Sequence, residues 1–188
     1  CIIESILSEE AIWSFGIYSD SYVAHNTFEN NEFIGGNNAI EMNPYFVNYH
    51  TGNKYSSNYI HDFTSSGISL NNCDSVQIIN NTIDCSTETE SAIAMEMHFL
   101  SGKNIITGNT ISMHATSSSI GIQATAWTPG EVENPRSLIA NNTFNISGDG
   151  SYSYGIYLHN MEYCDYFYNS IHVSSGYTGS RAFYVQES

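Results

Sequence analysis

Two carboxylates, Glu41 and Glu96, are the residues of this chain best placed to supply acid–base chemistry. Inverting glycoside hydrolysis needs one carboxylic acid and one carboxylate roughly 6.5–9.5 Å apart. No local motif marks either side chain, so the pair is a candidate and no catalytic residue is assigned. A second set, Tyr45, Asn71, Glu96, His98 and Trp127, suits sugar binding. Aromatic rings stack on the CH faces of a sugar, while amides and carboxylates take its hydroxyls. Both readings require elements that bring residues 41 to 127 onto one surface.

Charge narrows the field. Nineteen Asp and Glu face four Lys and Arg, a net charge of -15. Lys54, Lys103, Arg136 and Arg181 are too few and too scattered to neutralise phosphates, which excludes nucleic acid and anionic membranes as partners. No run of apolar residues is long enough to insert into a bilayer. Cys1, Cys73, Cys85 and Cys164 show neither a CxxC pair nor zinc spacing, so free thiols are expected, and no metal. No cofactor is called for; calcium has no motif to support it.

The positioning elements emerge from a repeat. A small residue followed by Ile or Phe recurs seven times, as Gly16-Ile17, Ala39-Ile40, Gly67-Ile68, Ala92-Ile93, Gly121-Ile122, Gly155-Ile156 and Ala182-Phe183. An Asn-x-Ile/Phe token alternates with it, beginning at Asn26, Asn58, Asn81, Asn109, Asn142 and Asn169. Units of about 27 residues with three short strands cannot close a core alone and must stack on their neighbours. Asn suits the corners, because it tolerates the left-handed backbone and its amide can bond the equivalent Asn in adjacent coils. Residues 92–100 fit helical and strand periods alike, and the repeat decides for strand.

These tokens, and above all Val76-Gln77-Ile78-Ile79-Asn80-Asn81-Thr82-Ile83, resemble the right-handed parallel β-helix repeats of the pectin-lyase-like superfamily, of bacterial secreted or surface type. The resemblance spans the chain from about Trp13. It implies an all-β, right-handed parallel β-helix of six to seven coils. Residues 1–188 are expected to form a single β-helix domain, a fragment of a longer secreted chain, whose uncapped ends associate with neighbouring domains or with copies in a filament. The resemblance also implies that lyases of this type use Lys or Arg as base, with calcium held against uronate. Lys103 and Arg181 are expected in turns, outside the strand columns, which leaves that chemistry without its base.

Aligning the small-residue tokens predicts an inward column Ile17, Ile40, Ile68, Ile93, Ile122, Ile156 and Phe183. The first outward column reads Tyr18, Glu41, Ser69, Ala94, Gln123, Tyr157 and Tyr184, and the second Asp20, Asn43, Asn71, Glu96, Thr125, His159 and Gln186. Tyr45, His98 and Trp127 lie beyond. Long connections after Ile40 and Ile122 would wall a floor of Ser69, Asn71, Glu96 and His98. The expected function is that of an extracellular or cell-surface domain, structural or adhesive, taking a polysaccharide or cell-surface glycan. The alternative is a polysaccharide-degrading enzyme, a glycoside hydrolase or lyase, and the missing motif and basic residues favour the non-enzymatic reading.

Overall fold

The computed structural model describes residues 1–5, 15–19, 23–43, 50–86, 89–127, 136–149 and 152–186, with backbone alone at 15–19 and 127. The chain visits three large parallel sheets in fixed rotation, and His50–Thr51 pairs with Cys73–Asp74 in a further two-stranded one. Sheet 1 comprises Thr27–Glu29, Lys54–Ser56, Gln77–Ile79, Ile105–Thr107, Ser137–Ala140 and Cys164–Phe167. Sheet 2 comprises Ile2–Ser5, Glu32–Gly35, Tyr59–His61, Thr82–Cys85, Thr110–Ala115, Thr143–Gly148 and Ser170–Ser175. Sheet 3 comprises Phe15–Ser19, Asn38–Met42, Ser66–Asn71, Ser91–His98, Ser118–Trp127, Tyr154–Met161 and Arg181–Gln186. Each strand pairs only with its equivalents one coil before and after, which makes an all-β solenoid of about six turns with no helix among the described residues. Ser91–His98 is a strand, as the repeat requires.

Three apolar columns fill the interior. Sheet 1 contributes Tyr55, Ile78, Ile106 and Ile139; sheet 2 contributes Phe33, Ile60, Ile83, Ile111 and Phe144. All are buried, and each such side chain contributes about 1.5–3 kcal/mol through removal from water. Cys73 and Cys85 are buried thiols outside any disulfide, and burial pushes the Cys73 thiol up to about 12. Phe183 and Val185 are 42% and 48% exposed, where their partners one coil earlier, Ile156 and Leu158, are at 0% and 1%.

The corner between sheets 1 and 2 divides between two residues what the sequence assigns to one. A buried ladder runs Asn31, Asn58, Asn81, Asn109, Asn142, Asn169, in which each backbone N–H and amide Nδ2 donates to Oδ1 of the next Asn. The left-handed backbone belongs to the residue before: Asn30, Ser57, Asn80, Gly108, Asn141 and Tyr168, all with φ between 52° and 70°. The Asn26 token is a correction. Thr27 and Phe28 pair with Lys54 and Tyr55 on sheet 1, so Asn26 bonds Asn53 at a different corner, and Asn31 opens the ladder.

Sheet 3 carries a second correction. Met95, not Ile93, pairs with Ile68 and Ile122, so the inward column is Ile40, Ile68, Met95, Ile122, Ile156, Phe183, with the Ile17 backbone in register with Ile40. The small residue that matches Gly67 and Gly121 is Ala94, buried and inward, and Ile93 pairs with Ser66 and Ile120. The outward columns shift with it. Glu96, not Ala94, joins Glu41, Ser69, Gln123, Tyr157 and Tyr184; His98 joins Asn71, Thr125, His159 and Gln186.

Candidate functional site

The outer face of sheet 3 is shaped by its small residues. At Gly67, Gly121 and Gly155, which match Ala94, no room exists for a larger side chain. A Cβ on Gly121 would lie 2.5 Å from the Gly155 carbonyl oxygen and 2.6 Å from the Phe144 ring. The small residue and the anchor after it are both inward, as Ala39 with Ile40 and Ala94 with Met95 are. The strand therefore bends, and the outward side chains three apart are brought together. Asn38 Nδ2 donates to Glu41 Oε2 at 2.5 Å, and the rings of Tyr154 and Tyr157 stack at 5.3 Å.

Glu96 has the densest surroundings. Ser66 Oγ donates to its Oε2 at 2.9 Å, and His98 Nε2 lies 3.1 Å from its Oε1. An ionised carboxylate only accepts, so that imidazole nitrogen carries the hydrogen. The His98 hydrogen bond holds the Glu96 carboxyl below the ordinary carboxylate value; partial burial opposes this and the Ser66 hydroxyl assists. Ser, Glu and His are thus joined with the carboxylate in the middle. A nucleophilic triad needs the imidazole there, so Ser66 has no base on its hydroxyl. Because the folded value is depressed, the contribution of Glu96 to stability is complete above its ordinary value of 4.5 and is lost as pH falls through the folded one. Glu96→Gln is expected to melt below the parent at neutral pH, and the gap to close as pH falls through the depressed carboxyl value. Melting curves across pH check this; a gap that persists in acid contradicts it.

The structure brings together part of the predicted set. Glu41 and Glu96 share a column with Ser69 between them, two strand spacings or about 10 Å apart along the stack. Asn71 and His98 are paired neighbours, and Asn71 Nδ2 donates to Asn43 Oδ1 at 3.1 Å. Asn71 Oδ1 and Asn38 Oδ1 are buried acceptors without a partner among the described residues. Tyr45 lies outside the described residues, as do most of the two long connections. Trp127 ends its strand opposite Met161. Arg181 is a correction: it opens the last strand of sheet 3, opposite Tyr154, rather than sitting in a turn. Its Nη1 donates to the Thr178 and Ser180 carbonyls, both at 2.8 Å.

Sequence reasoning overlooked a tyrosine ladder beside these groups. Tyr154, Tyr157 and Tyr184 stack on one another at 5.3–5.6 Å, and Tyr152 and Tyr177 extend the cluster. The signal was present in the Tyr157–Tyr184 column, but the contact of Tyr154 with Tyr157 depends on the bend. Stacked rings cover one another's faces and turn edges and hydroxyls outward. Tyr157 Oη accordingly donates to Gln186 Oε1 at 3.1 Å.

Elsewhere, His61 lies between Glu32 and Asp62 on sheet 2 and shares a column with His172, four strands away. A depression of about 510 Å³ sits at the N-terminal end, against Ile2, Asn31, Glu32 and Tyr59. Among the described residues no group of three His, Cys, Asp or Glu side chains is arranged to hold a metal ion. Compared with protein-family models, curated proteins and solved structures, the chain finds no match. Fold and face together define the class: an all-β parallel solenoid with one outer sheet that is polar and acidic at one end and tyrosine-rich at the other.

Proposed function

We propose that this chain is an extracellular or cell-surface module, a right-handed β-helix of the pectin-lyase-like kind, with a structural or adhesive role and a glycan as its ligand. The observation that carries the reading is the continuity of sheet 3. One continuous run of strands offers Glu41, Ser69, Asn71, Glu96 and His98, then Gln123 and Thr125, then the tyrosine edges. Hydrogen-bonding groups repeated at strand spacing suit a ligand that itself repeats.

The spacing of Glu41 and Glu96, about 10 Å along the stack, lies at the upper edge of what a second reading, glycoside hydrolysis, tolerates, and their surroundings weigh against it. A general acid needs a raised pKa, whereas Glu96 is held ionised and the Asn38 amide donates to Glu41. A glycan array of the whole chain, with Asn71→Ala/His98→Ala and Thr110→Ala variants, tests the adhesive reading. The double variant is expected to lose tenfold or more in affinity, roughly 1.4 kcal/mol, while Thr110→Ala on sheet 2 binds unchanged. An array without hits would retire the glycan reading. Reducing-sugar release that disappears on Glu96→Gln would establish the hydrolase instead.

A further inference from the structure

We propose that Tyr152 and Tyr177 form an oxidative cross-linking site, at which a peroxide acting through a haem peroxidase joins the two rings as dityrosine and staples one coil to the next. The register of sheet 3 builds the pair. Tyr154 pairs with Arg181, so the loops that enter these two strands stack one above the other. They are tied close to the rings: Arg181 N–H donates to the Ser153 carbonyl at 3.0 Å, and Ser153 N–H to Ser180 Oγ at 2.9 Å. In that register Tyr152 stands opposite Gly179, and Tyr177 approaches the same glycine from its own turn. The missing side chain is what admits both rings. A Cβ on Gly179 would lie 2.5 Å from Cε1 of Tyr152 and 2.5 Å from Cε1 of Tyr177, so twice that distance bounds the separation of the two carbons.

Those carbons are the ones that couple. Cε1 adjoins the carbon that bears the hydroxyl, and it carries unpaired electron density in a phenoxyl radical. The Tyr177 hydroxyl donates to Tyr152 Oη at 3.3 Å, with the ring centroids 4.7 Å apart at 76°. Dityrosine has the same arrangement, its two hydroxyls flanking the new bond. Each phenol gives up one electron and its hydroxyl proton, and the two radicals form a Cε–Cε bond. The two ring hydrogens at that bond then move to the oxygens as the rings regain aromaticity. The two electrons and two protons released reduce one hydrogen peroxide to two waters. Both rings are open to an oxidant, Tyr152 at 48% and Tyr177 at 40% exposed. Tyr154 stands 6.1 Å from Tyr152, with Tyr157 and Tyr184 at 5.3 and 5.6 Å from Tyr154, so oxidation of any ring in the ladder can pass to the coupling pair. Tyr168 is more exposed, at 88%, but its ring neighbour is Phe167, which has no phenol to couple. Cross-linking here is independent of any glycan on sheet 3.

Treatment of the dilute whole chain with a haem peroxidase and limiting hydrogen peroxide tests this, read by dityrosine fluorescence, intact mass and peptide mapping. The expected product is a monomer lighter by two hydrogens in which the peptides containing Tyr152 and Tyr177 are joined. It should melt above the untreated chain, because a covalent link between coils constrains the unfolded state. Tyr152→Phe and Tyr177→Phe should each lower the yield about tenfold with the far-ultraviolet circular dichroism unchanged, while Tyr168→Phe leaves it unaltered. Gly179→Ala keeps every phenol but sets a methyl between the rings, and it should lower the yield severalfold. Coupling that maps to Tyr163 or Tyr168, or that joins two molecules, would overturn the site. So would an undiminished yield in Tyr152→Phe or Gly179→Ala, or a treated chain without dityrosine. Should a variant unfold, the cross-link mapped in the parent chain decides alone.

Discussion

Asn81→Ala is expected to destabilise the chain by about 3–5 kcal/mol, and Asn80→Ala by only about 1 kcal/mol. The two asparagines are adjacent and do different work. Asn81 Oδ1 accepts from the backbone N–H and the side-chain Nδ2 of Asn58, and its own Nδ2 donates to the Tyr55 carbonyl and to Asn109 Oδ1, all at 2.9–3.0 Å and all buried. Truncation leaves two donors on Asn58 and one carbonyl without these partners where water does not reach. Asn80 is exposed and contributes chiefly its φ of 54°. Chemical denaturation of both variants checks the ranking. With a total stability of about 5–15 kcal/mol for an ordinary domain, the loss at Asn81 is large enough to unfold a marginal chain. Equal costs would mean that the ladder contributes no more than its backbone geometry.

Gly121→Val is the second large effect, an expected loss of about 3 kcal/mol or more. The first added carbon already meets the Gly155 carbonyl oxygen and the Phe144 ring at distances no native Cβ tolerates. The backbone oxygen cannot rotate away, and Phe144 is held in its column between Ile111 and Ile171. Relief therefore requires the bend of sheet 3 to open, which would also part the outer side chains that the bend brings together. Gly176 is the contrast: a Cβ there meets nothing within 4 Å, so Gly176→Val should fall within about 0.5 kcal/mol of the parent. Paired melting curves distinguish a packed contact from a general intolerance of valine.

Much of this architecture was legible in the sequence because a solenoid writes each structural job once per coil. The seven small-residue tokens and the Asn corners correspond to the strands of sheet 3 and the ladder of the sheet 1–sheet 2 corner. The failures have physical causes. Ala92-Ile93-Ala94-Met95 contains two small–apolar pairs two residues apart, and a period of two cannot choose between them. The choice falls on Ala94 because it matches Gly67 and Gly121 at the bend, and Glu96 and His98 move one column as a result. Asn26 and Asn31 both precede a residue and then a Phe, so spacing alone does not separate the two corners. The left-handed residue and the ladder residue stand side by side as Asn80-Asn81 and Asn141-Asn142, which hides their division of labour. The crease that pairs Asn38 with Glu41 and Tyr154 with Tyr157 follows from the bend, and alternation along an ideal strand does not reveal it.

The central claim is that the outer face of sheet 3 is a glycan-binding surface, and amide chemical-shift mapping of the 20.9 kDa chain tests it most directly. On titration with an oligosaccharide that binds, the account predicts shifts concentrated at Glu41, Ser69, Asn71, Glu96, His98 and Gln123, with the outward Thr82, Thr110 and Thr143 of sheet 2 unmoved. Shifts gathered on sheet 1 or sheet 2, or none on sheet 3, would contradict it.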